Sequence, residues 1–291
     1  MTTDKSRLES AIQGALLRLF ARLPLDWGSA IGGTLVRWNV RRTRQKAMAR
    51  ARRNLAFHRP EATDAELDAM VDTYCDGIGR LMAEYAVLHR LLPEGRLEIV
   101  GVERYREIAG HRPLLALGLH TGNWETFPIA YAAAGIPLTS FYAPPADAFE
   151  RRVAEATRAR LGVRLLSPDP RGARDGLRAL LRNEVVAIFP DEARDGRLMG
   201  PLFGRPPHDA GNIAVAARLA RKSGALIGIC HSTRLRGCRY RLVFEEPFPL
   251  PETDTPDLLA DVAFLNAKIE PIISAALPNW YFLDDDMSPL P

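Results

Sequence analysis

Leu114-Leu115-Ala116-Leu117-Gly118-Leu119-His120-Thr121-Gly122-Asn123-Trp124-Glu125 is the stretch that decides how the chain reads. Residues 114–119 are an apolar run of strand length, Thr121 and Gly122 turn the chain, and Asn123 caps a helix that holds Glu125 in its first turn. A strand that turns at once into a helix is the repeating unit of an α/β sheet, and ligands of such sheets gather where the strands end. His120 is therefore expected at a strand tip. Glu125, favoured there by the helix dipole, is expected to reach the imidazole across the turn, fix its tautomer and raise its basicity. Spacing alone carries little, because His89 and Glu94 have the same separation with no strand or turn between them. The elbow distinguishes His120.

On either side of this stretch, short β-branched or apolar runs recur at 97–100, 138–142, 163–166, 185–189, 226–230 and 240–244, with helical stretches expected at 123–134, 148–161, 171–182 and 212–223. This alternation predicts an α/β fold: a largely parallel mixed sheet of about seven strands flanked by helices. A last helix is expected after Thr255-Pro256, read as a cap and first-turn proline. Residues 1–94 read instead as a helical N-terminal extension, amphipathic and basic, in which Thr63-Asp64-Ala65-Glu66 is a capping box opening a periodic run through Met70, Tyr74, Ile78, Leu81 and Tyr85. The compositional change at Pro93–Gly95 sets the boundary, leaving 95–291 as the catalytic α/β domain.

The 291 residues carry a formal net charge of +4. The excess is local: between Arg37 and Arg53 lie Arg41, Arg42, Arg44, Lys46, Arg50 and Arg52 without an acidic residue, whereas Asp284, Asp285 and Asp286 sit near the other end. The three cysteines, Cys75, Cys230 and Cys238, lack Cys-x-x-Cys spacing, so neither a disulfide framework nor a structural zinc is expected. His208-Asp209 and Cys230-His231 each lack a third ligand, so no metal is expected. There is no Gly-x-Ser-x-Gly elbow and no Walker-type loop. No run is long and apolar enough to span a bilayer. In residues 12–40, however, Leu16, Leu17, Phe20, Leu25, Trp27, Ile31, Leu35 and Trp38 alternate with basic residues, which is the pattern of a segment lying in a membrane interface with residues 41–53 against anionic headgroups. The plainer reading of that stretch is a helix pair capping the core. Nucleic acid is not expected as a partner, since the basic run lacks a recognition motif and aromatic interleaving.

Residues 119–125 resemble the first signature block of the bacterial lipid A biosynthesis (late, lauroyl/myristoyl) acyltransferases, relatives of the glycerolipid and lysophospholipid acyltransferases. The likeness continues in Arg53-Asn54-Leu55, in Gly79 through Glu84, in residues 96–101, in Phe141-Tyr142-Ala143-Pro144, in residues 158–162, in Val185 through Asp191, and in Pro201-Leu202-Phe203-Gly204. It implies an acyltransferase moving a fatty acyl group from an acyl carrier protein or coenzyme A thioester to a lipid hydroxyl, in lipid A or lipopolysaccharide biosynthesis. It implies a peripheral place on the cytoplasmic face of the inner membrane and no cofactor. His120 would be the general base and Glu125 its partner, with Asn123, Arg158, Arg160 and Asp191 around the substrate.

Two departures bear on the acceptor. Asp191-Glu192 replaces the family's Asp-Gln-like pair. The basic His-Arg-Arg-Phe-like segment expected near the end is replaced by Leu283-Asp284-Asp285-Asp286 after Pro278-Asn279-Trp280-Tyr281-Phe282. A missing cationic clamp points to an acceptor with fewer phosphates, such as an amino lipid or lysophospholipid. An apolar groove for the acyl chain is expected between the sheet and the N-terminal helices, ending near His120. The competing reading is a peripheral membrane-binding module without catalysis, working through the basic stretch from Arg37 to Arg53.

Overall fold

The structure, a computed structural model, describes residues 14–15, 17–144 and 148–287, and only the backbone of 148–150. Four helices come first: α1 (Leu25–Thr43), α2 (Gln45–His58), α3 (Asp64–Glu84) and the short α4 (Leu88–Leu91). Then β1 (Leu97–Val100), α5 (Val102–Ile108), β2 (Leu114–Gly118), α6 (Thr126–Ala133), β3 (Leu138–Phe141), α7 (Ala148–Arg160), β4 (Arg164–Leu166), α8 (Pro170–Leu181) and β5 (Val185–Ile188) alternate. A small hairpin of β6 (Ala193–Arg194) and β7 (Arg197–Leu198) precedes α9 (Gly211–Ser223), β8 (Leu226–Arg234), β9 (Tyr240–Phe244) and α10 (Leu258–Ala275).

Seven strands form one sheet in the order β1-β9-β8-β2-β5-β3-β4, and every pairing in it is parallel except β8 with β9. This is the mixed, largely parallel α/β sheet that the alternation of runs predicts. Every residue of β2 and β5 is buried, as strands covered on both faces must be. Successive β2 side chains point to opposite faces. Leu115 and Leu117 join a core with Leu55, Val71 and Tyr74 of α2 and α3 and with α9 and α10; Leu114 and Ala116 join another with Tyr105, Phe127 and Tyr131. α2 and α3 thus pack into the core on one face of the sheet, whereas Leu25 of α1 and Leu88 and Leu91 of α4 join the core on the other.

The capping box at the start of α3 is formed: the Glu66 backbone N–H donates to Thr63 Oγ1 at 3.3 Å, and the Thr63 N–H donates to Glu66 Oε2 at 2.8 Å. α3 stops at Glu84, ahead of the predicted stop at Pro93, and a turn leads into α4. The last helix is capped by Asp257, whose Oδ1 accepts from Leu259 N–H at 2.9 Å, so Pro256 stands outside it. β8 runs four residues past the predicted end at Cys230, because polar His231 to Arg234 pair antiparallel with β9 while carrying no apolar signal.

α1 is turned in an unusual sense. Gly28, Ser29, Gly32 and Gly33 face inward, whereas Trp27, Ile31, Leu35 and Trp38 are exposed, the two tryptophans by 68 % and 62 %. The small residues let α1 and α3 touch by their backbones: a Cβ on Gly32 would come within 2.6 Å of the Gly79 carbonyl. The large apolar side chains are left on the outside while the opposite face of α1 packs against α3. Leu25 alone among the named apolar positions of α1 is in the core, and Leu16 lies outside the described residues. Among the described residues no helix is long and apolar enough to cross a membrane.

Candidate active site

β2 and β5 are neighbours in register, Leu117 opposite Ile188. Three residues further along each chain stand His120 and Asp191, and the register carries them to the same place at the carboxyl edge of the sheet. The imidazole Nδ1 lies 3.0 Å from Asp191 Oδ1 and 3.1 Å from the Asp191 carbonyl oxygen. Asp191 Oδ2 accepts from the His120 backbone N–H at 2.7 Å and from the Trp280 indole N–H at 3.0 Å. The carboxylate is fully buried and both of its oxygens are engaged.

The tautomer follows from those partners. A backbone carbonyl can only accept, and Oδ2 already takes two N–H donors, so in the neutral ring Nδ1 carries the proton and Nε2 the lone pair. Nε2 has no hydrogen-bond partner among the described residues, and the side chain is 19 % exposed. Phe189 at 4.5 Å, Trp124 at 5.1 Å and Phe282 at 5.1 Å, ring centre to ring centre, flank the imidazole without closing it off. A base so held meets the first geometric requirement for taking a proton from a hydroxyl.

Glu125 is elsewhere. Its Oε1 accepts from Tyr85 OH at 2.9 Å and from Arg158 Nη2 at 3.0 Å, while Oε2 is buried without a partner. The expectation that Glu125 orients the imidazole is therefore corrected: the carboxylate at Nδ1 is Asp191, and Glu125 turns toward α7 and the end of α3. The physical reason is the strand register, which delivers Asp191 level with His120, whereas Glu125 already sits one turn into a buried loop facing the N-terminal helices. Burial works against the Arg158 charge, but Glu125 and Tyr85 outweigh it and raise its pKa above the ordinary value. Burial and then the Glu125 charge raise the Tyr85 phenol well above its usual range, so it remains a donor.

Asn123 does not face outward as a substrate ligand would. It is fully buried, its Oδ1 accepting from Glu125 N–H at 3.1 Å and its Nδ2 donating to Glu84 Oε2 at 3.0 Å. Asp191, equally buried, likewise supports the histidine from behind. The two arginines separate: Arg158 is 18 % exposed and paired with Glu125, whereas Arg160 is exposed at the last turn of α7. Gly122 makes the turn itself. It has φ +58°, and a Cβ there would come within 2.6 Å of the Ser232 carbonyl oxygen.

The C-terminal segment completes the site, and sequence reasoning missed it. Tyr281 N–H donates to the His120 carbonyl at 3.0 Å, Gly122 N–H donates to the Asn279 carbonyl at 2.9 Å, and Thr121 pairs antiparallel with Trp280, so residues 279–281 are held to the loop by an isolated bridge between two 3-10 turns. The segment is pinned on its far side by Asn54 Nδ2, which donates to the carbonyls of Leu283 at 2.8 Å and Asp285 at 2.9 Å, and by Tyr74 OH on Asp284 Oδ1 at 2.6 Å. Where a basic clamp was expected, the Asp284 carboxylate and the Asp285 backbone carbonyl thus anchor the chain to α3 and α2, and the Asp286 backbone pairs with β7. Tyr85, Glu84 and Trp280 come from positions 35 or more residues from His120; only the order of the family's blocks hinted at them.

Beside Trp124, a crevice lined by Tyr74, Ile78, Leu81, Gly122 and Tyr281 encloses about 10 Å³, room for one water. At this place the groove expected between sheet and N-terminal helices is closed by side chains.

Comparison with curated proteins returns no match. The family model for bacterial lipid A biosynthesis acyltransferases matches residues 8–286, nearly the whole chain. With that span, and with the family's histidine block standing at a strand tip, the chain belongs to the bacterial lipid A biosynthesis acyltransferase family and is an acyltransferase acting on a lipid acceptor.

Proposed function

We propose that the protein transfers a fatty acyl group from a thioester of acyl carrier protein or coenzyme A to a hydroxyl of a lipid lying in the bilayer surface, with Nε2 of His120 as the general base. The free lone pair on Nε2, enforced by the Asp191 partners of Nδ1, is the observation that carries this reading. The acceptor hydroxyl gives its proton to Nε2 as its oxygen attacks the thioester carbonyl. The resulting oxyanion collapses, the carbon–sulfur bond breaks, and the imidazolium returns the proton to the departing thiolate. The products are an ester and a free thiol, and no covalent enzyme intermediate, metal or cofactor is needed. Arg158 has N–H groups beyond those spent on Glu125 and Ala154, and it is the guanidinium assigned here to the oxyanion. Arg160, exposed nearby, is assigned to phosphate on donor or acceptor.

The outward face of α1, with Trp27, Ile31, Leu35 and Trp38, is assigned to the cytoplasmic leaflet of the inner membrane, its aromatics at headgroup level. Arg42, which stacks over the Trp38 ring at 4.8 Å, and exposed Arg44, Lys46 and Arg53 supply charge toward anionic lipid. Arg41 and Arg52 are less available, being paired with Asp72 and with Asp64 and Asp68. Residues 1–94 then serve mainly to seat the enzyme and 95–291 to perform the reaction. The basic stretch assists catalysis rather than replacing it. The acceptor is a lipid A precursor or a related glycolipid or lysolipid, and the aspartates at 284–286 favour one with fewer phosphates.

Mass-spectrometric lipid analysis of a strain lacking the gene, complemented with the wild-type chain or with His120→Ala, tests the reading. One lipid class should lose an acyl chain in the deletion strain, regain it with wild type, and fail to regain it with the variant. Full restoration by His120→Ala refutes the proposed chemistry.

A further inference from the structure

Glu84, the last residue of α3, has no part in the chemistry derived above, yet it is fully buried and is the most heavily engaged carboxylate near the loop. Its Oε1 accepts from Ser29 Oγ at 2.7 Å and from Arg234 Nη1 at 2.6 Å. Its Oε2 accepts from Asn123 Nδ2 at 3.0 Å, from Arg234 Nη2 at 3.2 Å and from the Tyr240 hydroxyl. The guanidinium of Arg234 stacks over the Tyr240 ring at 4.7 Å. One side chain therefore joins the inner face of α1, the end of α3, the ends of β8 and β9, and the loop that carries His120.

The depth of this ion pair does not by itself argue for stability, since an apolar pair of similar volume is commonly as stable or more so. What an apolar pair could not do is hold Asn123. The Asn123 amide has its donor end on Glu84 and its acceptor end on Glu125 N–H, so a shift of the carboxylate moves the start of α6 and with it the Glu125–Arg158 pair.

We propose that Glu84 is a positioning residue for acyl transfer: through Asn123 it sets the loop between His120 and Glu125, and through Ser29 it ties that loop to the helix whose outer face carries Trp27 and Ile31. This rests on the reading of His120 as the base and extends it to a carboxylate that touches neither substrate nor the imidazole. The loop and the docking face then move as one body, so the height of α1 in a bilayer fixes the height of His120.

The Asn123 contact has a direction that can be reversed. Glu84→Gln removes the carboxylate that Arg234 and Asn123 share, and Asn123→Asp sets two carboxylates against each other. Together, Glu84→Gln and Asn123→Asp restore one donor and one acceptor at that contact and keep the total charge, with the amide oxygen at position 84 still accepting from Ser29 and Arg234 Nη1. With an acyl thioester and lysolipid vesicles, each single variant should lose ~10–100-fold in kcat with KM for the thioester within about twofold, because misplacement of the loop is felt in the transition state. The double variant should return to within about fivefold of wild type, a coupling that independent sites do not show. Single variants whose kcat stays within twofold while thermal stability falls, or a double variant whose losses simply multiply, overturn the proposal and leave Glu84 a structural residue. If Glu84→Gln is not recovered folded, the kcat-against-KM split of Asn123→Asp decides, and equal losses in both parameters overturn it. His120→Ala run alongside separates the two claims: an inactive His120→Ala with unaffected Glu84 variants defeats only the positioning role, whereas an active His120→Ala defeats the reading beneath it.

Discussion

Asp191→Asn changes one atom in the buried pair and removes what makes Nε2 a base. The amide oxygen can keep the place of Oδ2, accepting from His120 N–H and Trp280 Nε1, now 2.7 and 3.0 Å away. The NH2 group then points at Nδ1, where only an acceptor was compatible, and it favours the tautomer with the proton on Nε2. The imidazolium formed in the reaction also loses its counter-charge. In a comparable histidine–aspartate arrangement the wrong tautomer costs about 10⁴ in kcat. Here the Asp191 carbonyl remains 3.1 Å from Nδ1 and still holds the original tautomer in part, so the expected loss is ~10²–10³-fold, about 3–4 kcal/mol in the barrier. The assay is steady-state thiol release from an acyl thioester with lysolipid acceptor, with thermal melting to confirm that the isosteric variant folds. KM should change little. A kcat within about threefold of wild type refutes the argument, as does a loss that multiplies fully with that of His120→Ala, because two members of one catalytic unit are not additive.

Arg158→Met should destabilise the fold by about 3 kcal/mol, since it leaves buried Glu125 without its cation; Glu125→Gln added to it should restore the melting temperature without restoring turnover. Trp27→Ser with Trp38→Ser should weaken sedimentation with anionic vesicles by at least ~10-fold while leaving turnover of a soluble thioester and acceptor within about twofold, because both rings point away from the core; unchanged vesicle binding would show that α1 is not the docking face. Burial, then the neighbouring Asp284 charge, raise the Asp285 carboxyl from the ordinary carboxylate value of 3.8 to about 6, with Arg50 opposing. The folded state therefore binds this proton more tightly than the unfolded one, and the carboxyl costs stability increasingly as pH rises through that window. Asp285→Asn should stabilise at pH 7 by about 1–2 kcal/mol, allowing for solvent screening of a half-exposed group, and the advantage should fade as pH falls from about 6 to about 4; a pH-independent difference in melting temperature contradicts this.

The strand runs were legible because a parallel sheet covered on both faces requires uninterrupted apolar residues, and 114–119 and 185–189 have no polar interruption. β8 was legible only as far as Cys230, since beyond it the residues that pair with β9 are His231, Ser232, Thr233 and Arg234, which look like loop. His120 and the elbow were found for the same local reason. Its partner was not: Glu125 is five residues away in sequence and Asp191 is seventy-one, and only strand order, which no periodicity encodes, makes the second the neighbour. The inverted α1 illustrates the converse. Its apolar residues were visible as a pattern, but that its glycines rather than its tryptophans face α3 depends on a backbone contact with Gly79 that is set by the tertiary fold.

In the proposed reaction one lone pair, on Nε2 of His120, receives the proton of a lipid hydroxyl. Single-turnover acyl transfer by purified His120→Ala, with saturating thioester and lysolipid and a melting curve matching wild type, tests it most directly. The transfer rate should fall by ~10²–10⁴-fold, the usual worth of a positioned base. Transfer within about threefold of wild type would contradict it, whatever the fate of the surrounding network.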